Sequence, residues 1–156
     1  AKVAKRVISP QVSADMRYLY RLNSTAPGGS GHRAAVPGYR VGGKTGTANK
    51  VVNGRYANNL RFNSFLAAFP VDDPAYVVLS IIDEPKPEQG KFIATAGMNA
   101  APMVEQIIAR SATFLGVKPD FKLDALPAEV VSGTDHSAFE PKGTPAVAFD
   151  SSETYD

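Results

Sequence analysis

At 156 residues, 44% hydrophobic and 21% charged, the chain is long enough to bury a core and too balanced for wholesale disorder, collagen or coiled coil. It has no cysteine, which excludes disulfides, thiolate chemistry and zinc–thiolate sites. The net charge of +2 hides a division: residues 1–122 carry 16 Lys and Arg against 8 Asp and Glu, and residues 123–156 carry one lysine against 7 acids.

The opening AKVAKRVISP lacks the apolar core of a signal peptide, and no run approaches the roughly 18 apolar residues of a membrane helix. Ser9 or Ser13 can cap a helix in which Met16, Leu19, Tyr20 and Leu22 or Asn23 follow at helical spacing, ended by Pro27-Gly28-Gly29. Residues 24–38, rich in Gly, Ser and Pro, read as a loop. Tyr39-Arg40-Val41 leads into Gly42-Gly43-Lys44-Thr45-Gly46-Thr47-Ala48, whose glycines argue for an extended strand that something approaches closely.

Asn53-Gly54 signals a hairpin turn, and residues 58–63 read as a polar loop. Two β-rich runs, 63–69 and 76–82, are joined by Pro70-Val71-Asp72-Asp73-Pro74 as antiparallel neighbours. Their near-continuous apolar character predicts cover on both faces. Residues 100–115 repeat Met103, Ile107, Ile108 and Leu115 as an amphipathic helix stopped by Gly116. Phe62, Phe65, Phe69 and Phe114 are read as core. From 123 onward the chain turns to Pro, Ser, Thr, Ala and acids without a period, which predicts a mostly disordered acidic tail. The expected fold is therefore α/β of the layered α+β kind, an antiparallel sheet flanked by helices, in a unit spanning 1–122, with further chain needed to cover three strands.

The segment from Gly38 to Thr45 satisfies the phosphate-loop pattern G-x-x-x-x-G-K-[ST]. That mechanism needs a buried strand before the loop and a helix directly after it. The short, proline-ended run 32–37 and the strand and turn signals of 46–54 supply neither. The competing pattern is the K-T-G of serine acyltransferases, Lys44-Thr45-Gly46. A fixed ammonium there favours a substrate carboxylate and biases proton transfer, hydroxyls of Thr45 and Thr47 can hydrogen-bond that carboxylate, and glycine at 46 lets an acyl chain pair with the strand. The Thr47 backbone N–H would supply one oxyanion-hole donor.

From Gly38 to about Pro119 the sequence resembles the C-terminal part of the class B penicillin-binding proteins, most closely the division-specific penicillin-binding protein 3 type. Three passages carry the resemblance: Pro37-Gly-Tyr-Arg-Val-Gly-Gly-Lys-Thr-Gly-Thr-Ala48, the hairpin from Phe65 to Pro85, and Ala96-Gly97-Met98-Asn99-Ala100-Ala101-Pro102 before a helix. It implies a peptidoglycan D,D-transpeptidase that binds stem peptides and is acylated by β-lactams. Lys44, Thr45, Gly46 and Thr47 would bind substrate, and Lys44 and Thr47 would take part in catalysis. It also implies a location on the periplasmic face of the inner membrane, and leaves division proteins as candidate partners. No metal, nucleotide or other cofactor is implied, and the dispersed positive charges suggest no nucleic acid.

The family also needs S-x-x-K and S-x-N, and no serine here has lysine three residues on or asparagine two residues on. The expectation is a C-terminal fragment whose nucleophilic serine lies on an upstream part of the same domain, inactive alone. A noncatalytic peptide-binding module is the alternative, and a phosphate-loop hydrolase a weaker one. Asp72-Asp73 and Asp83-Glu84 are read as surface pairs, because strand neighbours face opposite sides. His32 and His136 stand without a second ligand nearby, Arg55 and Arg61 are read as solvated, and Tyr56 and Phe92 as either a cleft wall or exposed loop aromatics.

Overall fold

The computed structural model describes residues 6–123, and the acidic segment expected from 123 onward lies outside them apart from Leu123. Helix α1 (Pro10–Thr25) begins where the capping logic places it: Ser9 is extended, its hydroxyl accepts from Val12 N–H (3.1 Å), and proline opens the first turn. After a single 3-10 turn at His32–Ala34, strands β1 (Gly42–Val52), β2 (Arg55–Phe69) and β3 (Tyr76–Asp83) form an antiparallel sheet in that order. Helix α2 (Ala96–Ser111) closes the fold, followed by a second 3-10 turn at Phe121–Leu123.

Asn53 and Gly54 both have positive φ, 50° and 77°, the backbone that a tight hairpin requires at both central positions. The turn fixes the register, so the ladder runs on from Val52↔Arg55 through the polar residues that follow. The loop expected at 58–63 is accordingly strand: β2 continues through it, paired with β1, as a ribbon projecting past the end of β3. Pairing set by a turn does not depend on apolar side chains.

The sheet has two unlike faces. On one, Phe65, Ala67 and Phe69 of β2 are buried against Val104 and Ile108 of α2, with Val41 and Tyr39 completing the core. The α2 stripe that meets them is Ala96, Ala100, Ala101, Val104 and Ile108. Of the expected stripe Ile108 is buried, whereas Met103, Ile107 and Leu115 are partly exposed, Leu115 beyond the end of the helix, and alanines face the sheet instead, where small side chains let helix and strands approach. The helix also starts four residues earlier than its apolar period suggests, at Ala96. Phe65 and Phe69 are core as expected, whereas Phe62 and Phe114 are exposed.

The other face is covered at one corner only. A Cβ on Gly42 would meet Val71, Arg21 N and the Tyr20 carbonyl carbon within about 3 Å, so α1 backbone lies directly over it. A small cluster of Ala14, Tyr18 and Val71 seals that corner. Beyond it Leu66, Val77, Leu79 and Ile81 are exposed, so the expectation of cover on both faces does not hold among the described residues.

The far end of this face is tied by charge. A register shift between Asn49 and Val51 re-aims Lys50, whose ammonium bonds Glu84 (2.7 Å) and Asp83 (2.9 Å). Both carboxylates reach one lysine because Glu84 lies past the strand with φ +50°. The hydrogen bond to Glu84, then that to Asp83, raises the Lys50 pKa above 10.5. On the alkaline side the tie therefore persists until the pH climbs through that raised value.

Removing a buried ring should separate the two classes of phenylalanine. Phe65→Ala is expected to destabilise the intact protein by about 3–5 kcal/mol and Phe114→Ala by less than about 0.5 kcal/mol, read as the shift in urea-denaturation midpoint.

Candidate functional site

β1 is an edge strand, and its outer edge is closed at one end. Arg21 Nη1 donates to Val41 O (3.1 Å) and Asn23 Nδ2 to Gly43 O (2.8 Å), both from the last two turns of α1. The next carbonyl in this alternate series, Thr45 O, accepts from Lys44 Nζ at 2.7 Å. Strand alternation then turns the backbone N–H and C=O of Thr47 to the same edge, past the reach of α1.

The side chains alternate too. Thr45 and Thr47 lie opposite Phe65 and Asn63, on the α2 face, while Lys44 and Gly46 lie opposite Leu66 and Ser64 on the open face. Thr45 and Thr47 line a cleft of about 480 Å³ with Gly28, Gly29, Ser30, His32, Arg33 and the start of α2 at Thr95, Gly97 and Met98. Lys44 begins on the other face, but its ammonium curls round the free edge to Thr45 O and to Thr45 Oγ1 (3.2 Å). Gly46 does not line the cleft, and its immediate structural reason lies behind the strand: a Cβ there would stand 2.6 Å from Ser64 Oγ.

Thr47 does a second job. Its Oγ1 accepts from Ala96 N–H (3.1 Å), the first N–H of α2, while Thr95, the N-cap residue, makes no side-chain cap. A hydroxyl that accepts there still has its proton to give. Asn63, fully buried beside it in the next strand, holds Ala94 O and Asn99 Oδ1 at 3.1 Å each. Gly97 completes the joint, since a Cβ there would be 2.5 Å from Ser30 O. The start of the helix thus borders the cleft, capped by a neutral hydroxyl and with no acidic residue in its first turn.

Arg33 is a cleft residue with no signal in the sequence pattern. Pro102, inside α2, lacks the N–H that would bond Met98 O. Arg33 Nη1 takes that carbonyl (3.2 Å) and also Glu88 Oε1 (2.6 Å). His32 Nδ1 donates to Gly29 O at 2.9 Å, since a carbonyl can only accept.

Of the other candidates, Tyr56 and Phe92 are 75% and 100% exposed and do not line the cleft. Arg55 is exposed and Arg61 half-buried. Asp83 and Glu84 pair with Lys50, and Asp72 with Arg40 (3.2 Å). The phosphate-loop reading fails on geometry: Lys44 and Thr45 sit inside an 11-residue strand, with no helix after them to aim N–H groups at a phosphate. Among the described residues no group of three metal-ligating side chains occurs, and no helix is long and apolar enough to cross a membrane.

Comparison with known proteins agrees with this architecture. The family model for the penicillin binding protein transpeptidase domain matches residues 1–109. Stage V sporulation protein D of Bacillus subtilis is 46% identical over 115 residues, which is 74% of this chain and 17% of that protein. The probable peptidoglycan D,D-transpeptidase FtsI of Caulobacter vibrioides is 44% identical over 122 residues, 73% of this chain and 21% of that protein. The chain therefore spans only a small share of the curated relatives it matches. Among solved structures, the apo transpeptidase domain of Burkholderia pseudomallei penicillin-binding protein 3 superposes with a TM-score of 0.65 at 34% identity, covering 76% of this chain and 34% of that one. The ampicillin complex of Mycobacterium tuberculosis penicillin-binding protein 3 gives 0.60 at 28% identity, over 74% of this chain and 26% of that one.

The capping role of Thr47 is separable from any role in binding. Thr47→Val, which keeps the shape and loses the acceptor, is expected to cost about 1 kcal/mol of stability, whereas Thr47→Ser retains the bond and should stay within about 0.5 kcal/mol, both read by denaturant unfolding of the intact protein.

Proposed function

Because the chain belongs to the penicillin-binding protein transpeptidase domain family, we propose that residues 1–122 are the C-terminal part of that domain in a peptidoglycan D,D-transpeptidase. The observation that carries the reading is the edge of β1, closed by α1 as far as Gly43 and open at Thr47 onto a cleft. An extended peptide can add to such an edge by main-chain hydrogen bonds.

In this reading a serine on upstream chain attacks the penultimate D-alanine carbonyl of a stem peptide. The C–N bond to the terminal D-alanine breaks and that residue leaves. An amine of a second stem peptide then displaces the serine oxygen. The outward N–H of Thr47 donates to the oxyanion as the tetrahedral intermediate forms, a position in which a fixed donor stabilises charge without reorganising. Lys44 and the hydroxyls of Thr45 and Thr47 hold the terminal carboxylate, and Gly46 keeps a side chain out of the way of the acyl chain. Lys44 also biases the proton transfer that activates the nucleophile. A β-lactam offers a comparable carboxylate beside a strained amide, so the same groups would position it for acylation.

The parent protein would act in cell-wall synthesis at division, as the FtsI relative's name suggests. It would sit on the periplasmic face of the inner membrane, held by an anchor outside this chain, with division proteins as partners. A noncatalytic peptide-binding module is the second reading, and the lack of any S-x-x-K or S-x-N in this sequence favours it for the chain taken alone.

A fluorescent penicillin distinguishes the two. The full-length protein is expected to label covalently and the isolated chain not to. Lys44→Ala and Thr45→Val in the full-length protein should each lower the second-order acylation rate by roughly a hundredfold. A full-length protein that takes no label would leave the binding-module reading.

A further inference from the structure

Asn23, in the last turns of α1, bonds in three directions. Its Nδ2 donates to Gly43 O (2.8 Å), and its Oδ1 accepts from Ser30 N–H (3.1 Å) and Ser30 Oγ–H (3.0 Å). The orientation of the amide is forced, because Gly43 O can only accept and the Ser30 N–H can only donate. Its backbone O accepts from Gly31 N–H at 3.0 Å. The loop wraps it so closely that a Cβ at Gly29 would fall 2.3 Å from Asn23 O, and one at Gly31 would fall 2.9 Å from Asn23 Nδ2. The glycines on either side of Ser30 are therefore what allow one side chain to hold both the loop and the strand edge.

Ser30 Oγ also lies 2.8 Å from Thr45 Oγ1, with either atom able to donate. When the Ser30 hydroxyl gives its proton to Asn23, Thr45 must be the donor to Ser30, and Thr45 Oγ1 meanwhile accepts from Lys44. We infer that Asn23 is a positioning residue that makes Ser30 a switchable partner of Thr45. When an anionic group enters the cleft, Thr45 turns its proton to that group. The Ser30 hydroxyl swings from Asn23 Oδ1 to Thr45 Oγ1, and Asn23 Oδ1 keeps the Ser30 N–H. No proton changes owner, and every oxygen in the chain retains a partner in both states. Thr45 then donates while accepting from Ser30 and Lys44, the arrangement in which each hydrogen bond polarises the next.

This inference rests on the transpeptidase reading, and the test separates the two. Full-length protein is reacted with benzylpenicillin and with its methyl ester, and adduct formation is timed by intact-mass spectrometry. In Asn23→Ala and in Ser30→Ala the second-order rate with the free carboxylate is expected to fall about three- to tenfold, while the rate with the ester stays within about twofold. Ser30→Thr, which keeps the hydroxyl, is expected to restore the carboxylate rate. Ser30 is exposed, so Ser30→Ala carries the test if Asn23→Ala fails to fold. A proportional loss with both compounds, or no loss with either, would overturn the inference alone. Wild-type protein that forms no adduct would overturn the transpeptidase reading and the inference with it.

Discussion

A β-strand at the edge of a sheet presents a row of unpaired N–H and C=O groups, and the half-closed edge of β1 is the constraint on which this molecule turns. Side chains from α1 occupy the carbonyls of Val41 and Gly43, and Lys44 folds back onto the carbonyl of Thr45. Unmanaged edges are hazards for aggregation, and here the closure stops where the cleft begins. The opening is thus defined from both directions, by the length of α1 on one side and by the N-terminus of α2 on the other.

That second boundary depends on polar groups rather than on apolar packing. Thr47 Oγ1 and Asn63 Nδ2 hold the backbone at Ala94 and Ala96, and the bare backbone of Gly97 lets Ser30 come within contact. The same hydroxyl that caps the helix borders the cleft, so the position of α2 and the aim of Thr47 are one variable. A change at the helix start would be felt at the strand edge, and the reverse holds equally.

How much of this could be read beforehand follows the range of the interactions. The Ser9 cap, the Asn53-Gly54 turn and the extended Gly42–Ala48 segment are encoded locally, and each stands where local rules put it. Residues 58–63 were opaque because their strand character comes from a partner strand and not from their own polarity. The start of α2 was opaque because Ala96, Gly97 and Asn99 carry no apolar period and the cap comes from Thr47, 49 residues away in sequence. In the site, the types of Lys44, Thr45 and Thr47 were legible from one motif. Asn23, Ser30 and Arg33 were not, since their meaning lies in groups placed by other elements: the Gly43 carbonyl at the sheet edge for Asn23, the Asn23 amide and the Thr45 hydroxyl for Ser30, and the Met98 carbonyl left unbonded by a proline for Arg33. The glycines at 29 and 31 were the trace left in the sequence, visible as flexibility and explained only by the side chain they enclose.

The charge of the cleft follows from the same geometry. Arg33 lines it together with the start of α2, which carries no acidic residue in its first turn, the Lys44 ammonium reaches Thr45 at its rim, and the acid close by, Glu88, is engaged by Arg33. Field lines from separated positive groups converge more strongly in a concavity walled by low-dielectric protein than on an open surface. In the proposed reading, an anionic terminus entering this cleft is attracted by strand and helix together. That attraction would depend on where the backbone ends point as much as on any single side chain, and it belongs to the α2 side of a sheet whose opposite face leaves Leu66, Leu79 and Ile81 exposed among the described residues.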